Sequence, residues 1–101
     1  MIIKTAERIR ELREKNDLTQ SELARMLYVT RSSVNAWEMA ISVPSTEKLV
    51  DLASILHTSA DYLLGINAEE TLYLTNYSEK EKELIYRLCG YFDEIKKTIP
   101  K

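Results

Sequence analysis

The stretch from Thr19 to Glu38 leaves its backbone few choices, because two helix-opening signals stand close together with room between them for little more than a turn. Thr19 is followed three residues on by Glu22, the pattern of a capping box in which hydroxyl and carboxylate each satisfy one first-turn N–H. Thr30 is placed to cap a second helix in the same way. Leu23, Leu27, Val34 and Trp37 recur at helical spacing and point to a shared core, while Ala24 is small enough to let the two helices approach closely. Two short helices across a tight turn are therefore expected here.

The rest of the chain predicts an all-α protein with six helices. The first runs from about Thr5 to Lys15, with Ile9 and Leu12 inward, and Asn16-Asp17 ends it with residues that favour local turns. Pro44-Ser45 opens a fourth, with Leu49, Leu52, Ala53 and Leu56 inward, and Ser59 with Tyr62 opens a short fifth that stops at Gly65. These five make a bundle over residues 1–66. Residues 67–77 read as a linker, within which Thr71 to Tyr77 alternates as a short strand does. Ser78 and Glu81 form a second capping box and open a long C-terminal helix in 78–101, reaching about Thr98 before Pro100. Along it Ile85, Leu88, Phe92, Ile95 and Ile99 fall at alternating intervals of 3 and 4, a heptad seam. One helix cannot bury such a stripe by itself. The seam reads as a dimerisation element; the alternatives are that the helix folds back on its own domain or serves another protein.

Composition narrows the function. A chain of 101 residues holds one small domain and one further element, too little for a large ligand cavity. Cys89 is the single cysteine and His57 the single histidine, and neither has neighbours with which to form a nucleophile–base pair or a metal site. No catalytic residue, metal or cofactor is expected, and the chain reads as a non-enzyme. Met1-Ile2-Ile3-Lys4 lacks the apolar run of a signal peptide and nothing later approaches membrane-spanning length, so a cytoplasmic protein is expected. With 14 Lys and Arg against 16 Asp and Glu, the net charge is −2 and a general basic coat is absent. Attraction to nucleic acid then requires a local face built from Arg8, Arg10, Arg13, Lys15, Arg25 and Arg31.

From Ile9 to Leu64 several separated motifs occur in order: Ile-Arg-Glu-Leu-Arg-Glu-Lys, Leu-Thr-Gln-Ser-Glu-Leu-Ala-Arg, Val-Thr-Arg-Ser-Ser-Val-Asn-Ala-Trp-Glu, Pro-Ser-Thr-Glu-Lys-Leu and Ser-Ala-Asp-Tyr-Leu-Leu-Gly. This run, a little over half of the chain, resembles the XRE-type, phage repressor/Cro-like helix-turn-helix family. The resemblance implies a five-helix lambda-repressor-like bundle that binds operator DNA as a two-fold dimer, with the third helix in the major groove. It places Gln20 at the start of helix two, touching the DNA backbone, and Thr30 at the cap of the recognition helix, adding a phosphate contact. Arg31, Ser32, Asn35 and Ala36 match the positions that face base edges, and the helical wheel independently leaves them outside Thr30, Ser33, Val34 and Trp37. Arg31 suits guanine O6 and N7, Asn35 suits adenine or phosphate, and the Ala36 methyl suits a thymine methyl. Glu38 matches an acid that the family pairs with a helix-one arginine, here Arg13.

Three positions where the family often has glycine hold Tyr28, Ala40 and His57, each costing roughly 1 kcal/mol or more if its φ is positive. The loop Met39 to Val43 lacks the Lys and Arg that often clamp phosphates, so either Ile41 and Val43 serve a protein contact or backbone amides do the phosphate work. The expected function is a sequence-specific regulator of a prokaryote or its phage, a repressor that binds near-palindromic double-stranded DNA as a homodimer. The competing reading is an antitoxin-like interaction protein whose C-terminal segment binds a partner protein.

Overall fold

The computed structural model describes residues 2–66 and 72–98, and every regular element among them is an α-helix. They are α1 (Ile2–Lys15), α2 (Gln20–Leu27), α3 (Arg31–Glu38), α4 (Thr46–Ile55), α5 (Ala60–Leu64) and α6 (Glu79–Thr98). Local side chains explain where five of them begin. At α2 the Thr19 hydroxyl accepts from Glu22 N–H at 3.0 Å and the Glu22 carboxylate accepts from Thr19 N–H at 2.9 Å. Thr30, Ser45 and Ser59 accept the third amide of α3, α4 and α5 at 3.1, 3.3 and 3.0 Å. Ser78 and Glu81 repeat the reciprocal box at α6, at 2.8 and 3.2 Å.

The helix ends share one device. Asp17, Tyr28, Ala40, His57 and Gly65 all have positive φ, and the amide of the residue after each reaches five residues back. These bonds run Leu18 to Arg13, Val29 to Ala24, Ile41 to Ala36, Thr58 to Ala53 and Ile66 to Asp61, at 2.9–3.1 Å. This is the Schellman closure, in which a left-handed residue lets the chain leave while satisfying a last-turn carbonyl. Only one of the five is glycine. At Gly65 a Cβ would meet the Lys4 side chain at 2.9 Å, so a larger residue there would have to displace Lys4 in addition to bearing the strain of positive φ. Lys48 Nζ adds a cap from outside, donating to the Leu27 carbonyl at the end of α2 at 2.7 Å.

The core joins all five helices of the bundle: Ile9 from α1, Leu23, Ala24 and Leu27 from α2, Val34 and Trp37 from α3, Leu49 and Leu52 from α4, Leu56 just beyond it, and Leu63 from α5. Leu12 and Ala53 pack against it part-buried. Each fully buried side chain of this size stabilises the fold by about 1.5–3 kcal/mol. The core thus fixes the angle between α2 and α3 on which the interface depends.

Three expectations need correction. Helix α1 begins at Ile2 rather than near Thr5, because nothing in Ile2-Ile3-Lys4 breaks a helix and Thr5 is buried within it instead of capping it. Residues 72–77 form no strand: among the described residues there is no strand to take ladder bonds, and they run as irregular chain with a turn closed by Tyr77 N–H to the Leu74 carbonyl at 3.1 Å. The expectation for Thr71 itself lies outside the described residues, as does that for Ile99. His57, which from sequence reads as a plain surface residue where the chain turns between α4 and α5, is instead part-buried. Its ring stacks on Tyr77 with centroids 5.2 Å apart, and Nε2 lies 3.2 Å from the Tyr77 hydroxyl. Together with Asn76 Nδ2 donating to Ser54 Oγ at 3.1 Å, this ties the segment before α6 to the end of α4.

Candidate nucleic-acid interface

Helix α3 turns one side to the core and leaves the other open. Val34 and Trp37 are buried, Ser33 is half-buried, and Arg31, Ser32 and Asn35 are exposed, with Ala36 half-exposed at the edge. Thr30 is exposed: its hydroxyl, while accepting the α3 cap bond, also lies 3.0 Å from Ser33 Oγ. Arg31 sits in the first turn, where a cation opposes the helix dipole, and no described residue pairs with it. An anion or an acceptor edge from outside is its natural complement.

Beneath this face lies an ion pair. Arg13 of α1 grips Glu38 of α3 in a fork, Nε to Oε2 at 2.6 Å and Nη2 to Oε1 at 3.0 Å, with side chains 14% and 3% exposed. Arg13 Nη1 also donates to the Leu18 carbonyl at 2.7 Å. Hydrogen bonding to Glu38 raises the Arg13 pKa above its usual value against the opposing effect of burial. Gln20, first residue of α2, donates from Nε2 to Glu38 Oε1 at 3.1 Å and to Asn35 Oδ1 at 3.3 Å. Its side-chain protons are thus engaged within the protein, and its backbone N–H at the α2 N-terminus is the group left to meet a phosphate. A cleft of about 330 Å³ opens over this network, lined by Arg10, Arg13, Gln20, Arg31, Asn35, Glu38 and Met39.

The cationic face expected from sequence is smaller than the six residues named for it. Arg8 donates to the Tyr62 carbonyl and lays its guanidinium over the Tyr62 ring, 4.0 Å from the centroid, which makes it a clamp between α1 and α5. Arg13 is spent on Glu38, and Arg10 pairs with Glu14 at 3.3 Å along the exposed side of α1. Met39, Ile41 and Val43, at and beyond the α3 end, are exposed and apolar. On α6, Leu88 and Phe92 are exposed and Ile85 and Ile95 half-buried, no residue of the helix is fully buried, and exposed Leu84 and Tyr91 widen the stripe. The fold-back alternative for α6 does not match this exposure. Among the described residues no group of His, Cys, Asp and Glu is placed to hold a metal ion, and no helix is long and apolar enough to cross a membrane.

A helix-turn-helix family model matches residues 9–63, the span that builds α1 to α5 and the interface. The chain belongs to the XRE-type, phage-repressor-like helix-turn-helix family of transcriptional regulators. Among its family relatives, the transcriptional regulator ImmR of Bacillus subtilis is 34% identical over 98 residues, covering 86% of this chain and 77% of that one. The transcriptional activator BcrR of Enterococcus faecalis is 30% identical over 87 residues, covering 86% of this chain but only 43% of its own length. The chain thus spans less than half of that activator. The crystal structure of the phage P22 c2 repressor with a synthetic operator superposes with a TM-score of 0.60 at 35% identity, covering 62% of this chain and 96% of that one.

Proposed function

We propose that this family member is a sequence-specific DNA-binding regulator, a repressor that occupies a near-palindromic operator as a homodimer and acts by occupancy rather than catalysis, in the cytoplasm. The observation that carries the reading is the open face of α3, with an arginine in its first turn that pairs with no described residue, on a bundle that superposes on a repressor solved with operator DNA. In this reading Arg31, Ser32, Asn35 and Ala36 address base edges, while Thr30 and the backbone amide of Gln20 meet phosphates. Residues 1–66 form the DNA-binding unit, 67–77 the connection and 78–101 the dimerising helix, paired along Ile85, Leu88, Phe92, Ile95 and Ile99. Regulators among the relatives support this over an antitoxin-like role.

Selection of binding sites from random duplex DNA tests the proposal, with an inverted repeat as the expected product. Arg31→Ala should relax base preference at one position per half-site, a loss of about 1–3 kcal/mol of discrimination. Failure to enrich any sequence rejects the reading.

A further inference from the structure

The interface contains a chain of hydrogen bonds whose direction is set from its buried end. Glu38 accepts through both oxygens: Oε2 from Arg13 Nε at 2.6 Å, and Oε1 from Arg13 Nη2 at 3.0 Å and Gln20 Nε2 at 3.1 Å. A carboxylate accepts only, so an amide oxygen turned toward this anion, 3% exposed, would meet repulsion that no water screens. Gln20 is therefore held with Nε2 inward. The same nitrogen donates to Asn35 Oδ1 at 3.3 Å, which turns the Asn35 oxygen inward too. Asn35 is exposed, and the two protons of its Nδ2 are taken up by no described residue.

From this geometry we infer that Asn35 reads the operator as a hydrogen-bond donor only, and that Glu38, acting through Gln20, is the positioning residue that sets this polarity. The inference rests on the reading of α3 as the recognition helix. An asparagine free to turn over matches adenine, donating to N7 and accepting from N6. Locked as a donor, it favours a keto base, guanine through O6 and N7 or thymine through O4, over adenine, which offers N7 alone beside an N6 amino group left without an acceptor, and over cytosine, which offers only its amino group. Arg31 on the same face also offers donors alone, so neighbouring positions of the half-site carry the same bias.

Glu38→Gln inverts the chain. Arg13 Nε keeps the oxygen of the new amide, whose NH₂ replaces Oε1 and so turns to Gln20 at the loss of the Arg13 Nη2 bond; Gln20 presents Oε1 to it; and Asn35 swings its NH₂ onto that oxygen, leaving Oδ1 outward. The carbonyl has the two lone pairs this requires.

The test is site selection from random duplex DNA by the full chain and by its Asn35→Ala, Gln20→Ala and Glu38→Gln variants. The unaltered chain should enrich a keto base at one position per half-site, by roughly tenfold. Asn35→Ala should lose that preference at that position alone, Gln20→Ala should tolerate keto and amino bases there, and Glu38→Gln should shift the preference to an amino base. Should Glu38→Gln fail to fold, Gln20→Ala, whose side chain is part-exposed, carries the test. A keto preference unchanged in Gln20→Ala overturns the inference, and so does uniform weakening of all sequences by Asn35→Ala, which assigns that side chain to phosphate. If the unaltered chain enriches no sequence, the regulator reading falls and the inference with it.

Discussion

Tyr28 and Ala40 hold the left-handed backbone with φ of 59° each, although each carries a Cβ that this conformation crowds by about 1–2 kcal/mol. Tyr28 is 92% exposed, so its ring contributes almost no packing to offset that strain. Replacing either by glycine should stabilise the chain, by about 0.5–1 kcal/mol once the greater freedom of glycine in the unfolded state is subtracted. In a thermal melt of a domain this size, 1 kcal/mol corresponds to a rise of roughly 4–8 °C. An unchanged midpoint for both variants would mean that neighbouring contacts already relieve the strain. His57→Gly should gain less, since it also removes the ring that stacks on Tyr77. At Glu38 the direction reverses. Glu38→Ala leaves the Arg13 guanidinium partly buried without its anion, at a cost of about 3–5 kcal/mol, and a denaturation midpoint equal to that of the unaltered chain would remove the pair from any account of stability.

Element by element, what could be read from sequence was what is decided within a few residues. The caps Thr19, Thr30, Ser45, Ser59 and Ser78 were legible because each bonds an amide three residues away. Sequence alone places Arg8 on a DNA face because its partner, Tyr62, lies 54 residues on and is brought to it only by the packing of α1 against α5. The direction of the Gln20–Asn35 bond was hidden for the same reason: it follows from the crossing of α2 and α3 over a buried anion. The segment before α6 misled because alternating apolar residues make a strand only where another strand accepts the ladder. At the start of α6, the backbone and hydroxyl bonds from Ser78 hold the Glu81 carboxyl below the usual carboxylate range, as those from Thr19 do for Glu22. A carboxyl depressed in the folded state contributes stability that is present above its unfolded pKa and lost as pH falls through the folded value. Both boxes should therefore weaken below about pH 4.5, the ordinary value for such a group. Within a single chain α6 has no buried residue to hold it, so at concentrations too low for copies to pair it should fray first. On acid titration, helical circular dichroism should decline before the fluorescence of buried Trp37 changes, and coincident transitions would show that α6 is held by more than its own cap.

The described chain measures 46 × 31 × 23 Å, with α6 leaving its apolar stripe open while the bundle is already complete. Pairing two copies along that stripe would give the two-fold symmetry that the proposed site requires, which is recognition helices about 34 Å apart on one face of the duplex. The charges beside the seam favour a parallel pair. Lys82 and Lys96 occupy the same flanking position two heptads apart, so an antiparallel pair sets Lys82 of one copy near Lys96 of the other, whereas a parallel pair keeps them apart and both bundles at one end. Burying the Leu88 and Phe92 side chains of each copy contributes about 1.5–3 kcal/mol apiece, enough that losing both should shift the association by several orders of magnitude. Because these side chains are 52% and 50% exposed, the full chain carrying Leu88→Ser and Phe92→Ser should keep its fold. Sedimentation equilibrium should then find a dimer for the unaltered chain and a monomer for the variant, with operator affinity falling in parallel. The small cationic face sets a second expectation: with two or three phosphate contacts per protomer, the log–log salt dependence of the dimer should have a slope of magnitude about 4–6. A variant that still dimerises would take the seam out of the assembly, and a slope near 10 would require cations beyond those on α1, α2 and α3, in the part of the chain that follows the bundle.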